Sequence, residues 1–193
     1  MLNPKASATF STFRDRPRSN RGTSLNPIGK VSPWRIGMKI ISESINDTLK
    51  IGEVIAKNLE KADIVCLFGE LGSGKTVLTK GIASGLGIKR SKVISPSFVL
   101  IRQYSTAKMP FYHLDLYRLK TIEDILALGY EEYFYDEGIT VIEWADRLNY
   151  LLPKEYLKIK LYIKSNSQRL LKISASGKHY KELLDKIYED LRH

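Results

Sequence analysis

Regular alternation of apolar and polar positions begins only near residue 38. Residues 38–41, Met-Lys-Ile-Ile, read as a short strand, and Ser44-x-x-Asp47 resembles a capping box for a helix carrying Ile45, Leu49, Val54, Ile55 and Leu59. The unbroken apolar run Ile64-Val65-Cys66-Leu67-Phe68 reads as a buried strand. A helix from 76 to about 86 follows, with Leu78, Ile82 and Leu86 on one face. Gly81 and Gly85 stand four apart on it. Glycine costs about 1 kcal/mol in a helix interior relative to alanine, so this spacing points to close packing against a neighbour.

Farther on, Ser95-Pro96-Ser97-Phe98 reads as a turn opening a strand over 99–104, and a second strand runs through Phe111, His113 and Asp115. Thr121-x-x-Asp124 caps a short helix bearing Ile122, Ile125 and Leu126 that stops near Gly129. The acidic, aromatic segment 131–137 leads into a core-like strand, Ile139-Thr140-Val141-Ile142. After Pro153, residues 157–161 and 170–173 read as adjacent antiparallel strands joined through Ser165-Asn166-Ser167. The stripe Tyr180, Leu183, Leu184, Ile187, Tyr188 and Leu191 predicts a closing helix packed on the core. This order of elements predicts an α/β fold, a mainly parallel central sheet flanked by helices with an antiparallel C-terminal extension.

Residues 1–37 break the pattern. They are rich in Ser, Arg, Asn and Pro and show no sustained period, which predicts a basic, disordered extension ahead of one folded domain over 38–193. An upstream extension of a gene whose natural start is Met38 is the preferred explanation; an organelle transit peptide and a basic tether for a partner are the alternatives. The net charge of +10 for 193 residues suggests nucleic acid until it is divided along the chain. Residues 1–37 hold seven Lys/Arg against one Asp, a net +6, which leaves +4 for everything that follows. A domain with that modest excess is not obviously built around a nucleic-acid backbone, and direct nucleic-acid binding is motivated only by the basic tail. The 43% hydrophobic and 27% charged fractions are those of an ordinary globular protein, and no apolar run approaches the roughly 20 residues that span a bilayer. The lone cysteine, Cys66, sits in the apolar run at 64–68 and reads as a small core hydrophobe.

The chemistry enters between that run and the helix after it. Gly69-Glu70-Leu71-Gly72-Ser73-Gly74-Lys75-Thr76 satisfies G-x-x-x-x-G-K-[ST] at every fixed position and stands in the strand, loop, helix context that a phosphate loop requires. Glycines let successive N–H groups curl around an anion while the helix points its positive end at the same place. Lys75 can reach outer phosphates, and the Thr76 hydroxyl is a hard oxygen suited to Mg²⁺. Residues 70–77 (Glu70, Leu71, Gly72, Ser73, Gly74, Lys75, Thr76 and Val77) are therefore the expected nucleotide contacts.

Hydrolysis or transfer also needs a carboxylate at the end of a neighbouring strand. Glu143 follows the apolar strand 139–142 directly, in the placement of a Walker B acid, and Asp115 closes another apolar strand. Either could equally be a solvated strand-end carboxylate. His113 reads as structural, Arg118 as a phosphate-stabilising group or a surface ion-pair partner, and Tyr117 with Trp144 as packing before base stacking.

Four motifs in order, the 69–76 loop, Ser95-Pro96-Ser97-Phe98, His113-Leu114-Asp115-Leu116-Tyr117-Arg118-Leu119 and Ile142-Glu143-Trp144, closely resemble those of the bacterial TsaE (YjeE) family. The resemblance covers 38–153 strongly and leaves 1–37 outside it. It implies a P-loop NTPase-like fold and a cytoplasmic, Mg²⁺-dependent ATPase, slow without partners, that supports formation of threonylcarbamoyladenosine in tRNA. It implies that Lys75 and the loop amides bind ATP or ADP, that Thr76 and Glu143 hold Mg²⁺, and that Asp115 acts at the metal or the attacking water, with 95–98 as a switch-like loop. The implied partner is the TsaD–TsaB heterodimer, with tRNA met mainly through that complex and no membrane involved. Ser97 departs from the more usual Thr but keeps a hydroxyl. Two other readings stand beside this one: a P-loop small-molecule kinase, for which the middle of the chain offers only scattered Arg102, Arg118 and Arg147, and a nucleotide-gated binding module without turnover.

Overall fold

The computed structural model describes residues 10–12, 37–134 and 136–192. Its strands are β1 (Phe10–Thr12), β2 (Gly37–Ser42), β3 (Ile64–Phe68), β4 (Ile101–Tyr104), β5 (Phe111–Asp115), β6 (Ile139–Glu143), β7 (Tyr156–Ile163) and β8 (Arg169–Ser176). Its helices are α1 (Ile45–Asn58), α2 (Lys75–Gly85), α3 (Ile122–Leu126), α4 (Glu131–Phe134) and α5 (Lys178–Arg192), with a 3-10 segment at Ala145–Leu151. Of the stretch 1–37, β1 pairs antiparallel with β2 and Gly37 opens β2; the expectation of disorder for the remainder lies outside the described residues.

One sheet runs in the order β1-β2-β8-β7-β3-β6-β5-β4. Its centre, β7-β3-β6-β5, is parallel, and β8, β2 and β1 continue it antiparallel on one side, as β4 does on the other. The predicted fold class is therefore the observed one. Five consecutive buried residues in each of β3, β5 and β6 show why these strands read as unbroken apolar runs: helices cover both faces.

One face buries Val65, Leu67, Val141, Ile159 and Ile173 under α1, α2 and α5. The other buries Cys66, Leu114 and Ile142 under α3, α4 and the 3-10 segment. Burial pushes the Cys66 thiol well above its ordinary range, so it is an inert core group. The stripe on α5 is core, as expected, and the Tyr180 hydroxyl accepts the Ile64 N–H at 2.7 Å, pinning the start of β3.

The glycines of α2 have the packing role their spacing suggests. A Cβ at Gly81 would lie 2.3 Å from the Leu49 carbonyl oxygen, and one at Gly85 would lie 2.6 Å from the Ala56 Cβ. On α1, Gly52 meets the Leu78 carbonyl oxygen in the same way, at 2.7 Å. Two boundaries differ from the sequence reading. Ile45 faces solvent because it precedes the buried stripe of α1, and β4 starts at Ile101 because Leu100 takes a left-handed φ of 67°.

Candidate nucleotide-binding site

β3 delivers the loop at the carboxyl edge of the parallel strands, where ligands of open α/β sheets sit. Gly69 takes φ 139° in contact with β7: a side chain there would meet the Leu161 carbonyl oxygen at 2.5 Å. Gly74, at φ 101°, is the N-cap of α2 and has room around it. The start of α2 differs from those of α1 and α3. α1 is capped by the Ser44 side chain and α3 by a reciprocal Thr121–Asp124 box, but α2 has no side-chain cap and no acid in its first turn. Its first N–H groups and the positive end of its dipole are thus left for an anion. Beside them, the buried Ser73 hydroxyl has no hydrogen-bond partner among the described residues.

Lys75 folds back over this loop. Its ammonium donates to the Gly69 and Glu70 carbonyls at 2.7 and 2.9 Å and lies 3.7 Å from the Trp144 ring centroid. Burial lowers its pKa, while Glu143, Asp146, Asp115 and Glu70 pull it upward.

Glu143 ends β6, directly across from Leu67 of β3 and Asp115 of β5. Its Oε2 accepts the Thr76 hydroxyl at 2.8 Å. Its Oε1 faces His113 Nε2 at 2.8 Å and the Thr79 hydroxyl at 3.1 Å, and Thr79 is also 3.0 Å from the Lys75 carbonyl. A carboxylate oxygen accepts, so His113 Nε2 is the donor here, and the buried Nδ1 has no hydrogen-bond partner among the described residues. Asp115 is held from another side: its Oδ2 accepts the Ser95 and Ser97 hydroxyls at 2.6 and 2.5 Å, and Oδ1 accepts the Tyr117 N–H at 3.1 Å. The turn at 95–98 is thereby tied to the end of β5.

Lys75, Thr76, Ser95, Ser97, Asp115, Glu143 and Trp144 line one cleft of about 390 Å³, with Leu71, Gly72, Gly74, Val77, Tyr117 and Arg118 completing its walls. Arg118 reaches it with its guanidinium 4.0 Å from the Phe98 ring; Arg102 and Arg147 do not line it. Trp144 sits at φ 59°, ψ 41°, a left-handed conformation that is costly for a bulky residue. Its ring is fixed there by Tyr117, 4.9 Å away centroid to centroid, and by the Lys75 ammonium.

Of the expected site residues, Leu71, Gly72, Gly74, Lys75, Thr76, Val77, Asp115 and Glu143 line this cleft, while Glu70 lines a neighbouring one and Ser73 is buried; the structure adds two residues that the sequence reading missed. Thr79 lies one helical turn after Thr76, so an i, i+3 pair of hydroxyls was the available signal. Arg169 donates to the Gly72 carbonyl at 3.2 Å from the far end of the chain, and nothing local marks it.

A strand, a glycine-rich turn and an uncapped helix start, faced by a strand-end carboxylate bonded to the loop threonine, define a phosphate-loop protein of the α/β class. The family model described as threonylcarbamoyl adenosine biosynthesis protein TsaE matches residues 42–171. The chain belongs to the TsaE family. It is 36% identical to the tRNA threonylcarbamoyladenosine biosynthesis protein TsaE of Bacillus subtilis over 141 residues, covering 73% of this chain and 87% of that one. The protein of the same name from Treponema pallidum is 36% identical over 137 residues, 71% of this chain and all of the relative. Among solved structures, the crystal structure of Bacillus subtilis YdiB superposes with a TM-score of 0.68 at 32% identity, covering 78% of this chain and 93% of that one.

Proposed function

We propose that this chain is a Mg²⁺-dependent ATPase supporting the formation of threonylcarbamoyladenosine in tRNA, with residues 38–193 as its ATPase domain. The observation that carries the reading is the Glu143–Thr76 hydrogen bond, which joins the strand-end carboxylate to the loop hydroxyl at the uncapped start of α2. The donor chemistry fits magnesium: hard oxygens from Thr76 and Glu143, with Asp115 one strand away. Among the described residues no three His, Cys, Asp or Glu gather into a protein-only metal site. When bound, the ion neutralises charge on the phosphates and polarises the one transferred.

The chain's own groups then divide the work. The loop amides and Lys75 hold the phosphates, Lys75 exchanging a loop carbonyl for a phosphate oxygen. Glu143, fixed by Thr79 and His113, orients Thr76. Asp115 positions the attacking water, and its bonds to Ser95 and Ser97 make that position depend on the 95–98 turn. Hydrolysis is slow until a partner orders that turn and excludes water. The proposed partner is the TsaD–TsaB heterodimer, with tRNA bound mainly through it. Among the described residues no helix is long and apolar enough to cross a membrane, and a bacterial cytoplasmic location completes the proposal.

The test is reconstitution with TsaB, TsaC and TsaD, tRNA, threonine, bicarbonate and ATP. Modification is expected to stall after few turnovers without this chain or with its Glu143→Gln variant. Sustained turnover in either arm overturns the reading.

A further inference from the structure

The sheet face under α3 and α4 changes character at the β3–β7 boundary. Along one lateral row, Leu114, Ile142 and Cys66 are followed by Lys158 and Ser174. Along the next, Phe68 is followed by Lys160, Lys172 and Lys39. The apolar half is buried; on the other half Lys160 and Lys172 are exposed. Strands β2, β7 and β8 carry Lys39, Lys158, Lys160 and Lys172 on this face, Arg169 on the other, and not one Asp or Glu.

Lys160 and Lys172 are direct cross-strand partners, an arrangement of like charges that destabilises a sheet. Among the described residues, none of the ion pairs takes in Lys158, Lys160 or Lys172. Instead their ammonium groups lie over aromatic rings: Lys160 and Lys172 at 5.2 and 4.7 Å from the Tyr162 centroid, Lys158 at 4.7 Å from that of Phe68. Carboxylates stand at the margins, Glu43 bonded to Gln168, and Glu70 and Asp146 in a cleft that Lys160 also lines. A row of lysines held flat by aromatic rings on an open sheet is the arrangement that tracks a nucleic-acid backbone.

We infer that this lysine face of β2, β7 and β8 binds the phosphodiester backbone of RNA. The choice of RNA among polyanions rests on the proposed function; the surface itself does not. A net charge of only +4 beyond residue 37 conceals the face, because the acids are concentrated elsewhere, six of them over residues 123–137 alone.

The test uses the full chain, a fluorescently labelled tRNA and no nucleotide, so that its result is independent of ATP hydrolysis. Fluorescence anisotropy is followed as salt is varied for the wild type, a Lys160→Gln/Lys172→Gln variant, and a tail variant with Arg14, Arg16, Arg18 and Arg21 changed to Gln. Losing two phosphate contacts is expected to weaken tRNA binding about tenfold and to flatten the log–log salt slope by about 1.5. The tail variant keeps the wild-type slope to within one contact. Equal affinity of the wild type and the lysine variant, loss of all binding in the tail variant, or binding to phosphatidylserine vesicles without binding to tRNA would each overturn the proposal.

Discussion

Replacing Gly81 by alanine sets two effects of opposite sign against each other. On an isolated helix the change stabilises by about 1 kcal/mol, because alanine loses less backbone entropy. In this fold the new Cβ falls 2.3 Å from the Leu49 carbonyl oxygen and 3.0 Å from the Leu49 Cα. Ordinary contact begins near 3.4 Å, so α1 and α2 must separate by about 1 Å. The obstacle is backbone, and no side chain can swing away. Overpacking of this kind costs about 1–3 kcal/mol and at times more, and at a backbone clash we take the upper end. The net expectation is a loss of about 2 kcal/mol, or ~4–8 °C in Tm for a domain of this size. Urea unfolding and calorimetry measure it. Because α2 begins at Lys75, the same displacement moves the loop, and ATP affinity is expected to fall along with stability. A variant more stable than the wild type would show that the helices do not cross as closely as described, and would refute the reasoning.

Three further outcomes follow from the same geometry. Thr79→Val removes one donor from Glu143 while keeping volume; kcat for ATP hydrolysis is expected to drop about fivefold, roughly 1 kcal/mol, with KM little changed, and unchanged kcat would count against the role given to Thr79. Ser95→Ala with Ser97→Ala frees Asp115 from the 95–98 turn; limited proteolysis is expected to cut there faster than in the wild type, and hydrolysis in the presence of TsaD–TsaB to fall toward the unpartnered rate. Burial and the bond to Asp136 push the Tyr112 phenol from 10.0 to about 12. A raised phenol pKa means that the unfolded chain loses its proton first, so stability is full below pH 10 and declines as pH rises from there toward about 12. Urea midpoints across that window are expected to fall for the wild type, and less for Tyr112→Phe; equal declines would remove Tyr112 as a cause.

Elements whose signal is local were legible in the sequence. The loop at 69–76, the buried runs of β3 and β6, the Thr121 cap and the stripe of α5 each depend on residues within one turn or one strand. What escaped depends on pairing between distant segments. Residues 157–161 were expected to pair antiparallel with their hairpin partner, and they do, but β7 also runs parallel to β3 and so completes the central sheet. Arg169 and Thr79 matter through Gly72 and Glu143, 97 and 64 positions away. The lysine face is spread over three strands, two of which, β2 and β8, are separated by most of the chain.

The two site carboxylates show most clearly how topology makes the chemistry. Asp115 and Glu143 are in register on neighbouring parallel strands, so their side chains leave the same edge of the sheet together. Each is held by hydrogen-bond donors: three at Glu143, from Thr76, Thr79 and His113, and three at Asp115, from Ser95, Ser97 and the Tyr117 N–H. These bonds fix where the two carboxylates stand. The Lys75 ammonium, bonded to two loop carbonyls and resting against Trp144, is drawn electrostatically by both carboxylates. If a nucleotide binds here with a divalent cation, as proposed above, Thr76, Glu143 and Asp115 are the groups that would hold the ion, and it would offset the charge that phosphates bring to these acids. The same hydroxyls that steady Asp115 belong to the 95–98 turn, next to the exposed Phe98 and Val99. Anything that moves that turn moves the carboxylate. A partner pressing on it would control the cleft without touching the loop that holds the nucleotide.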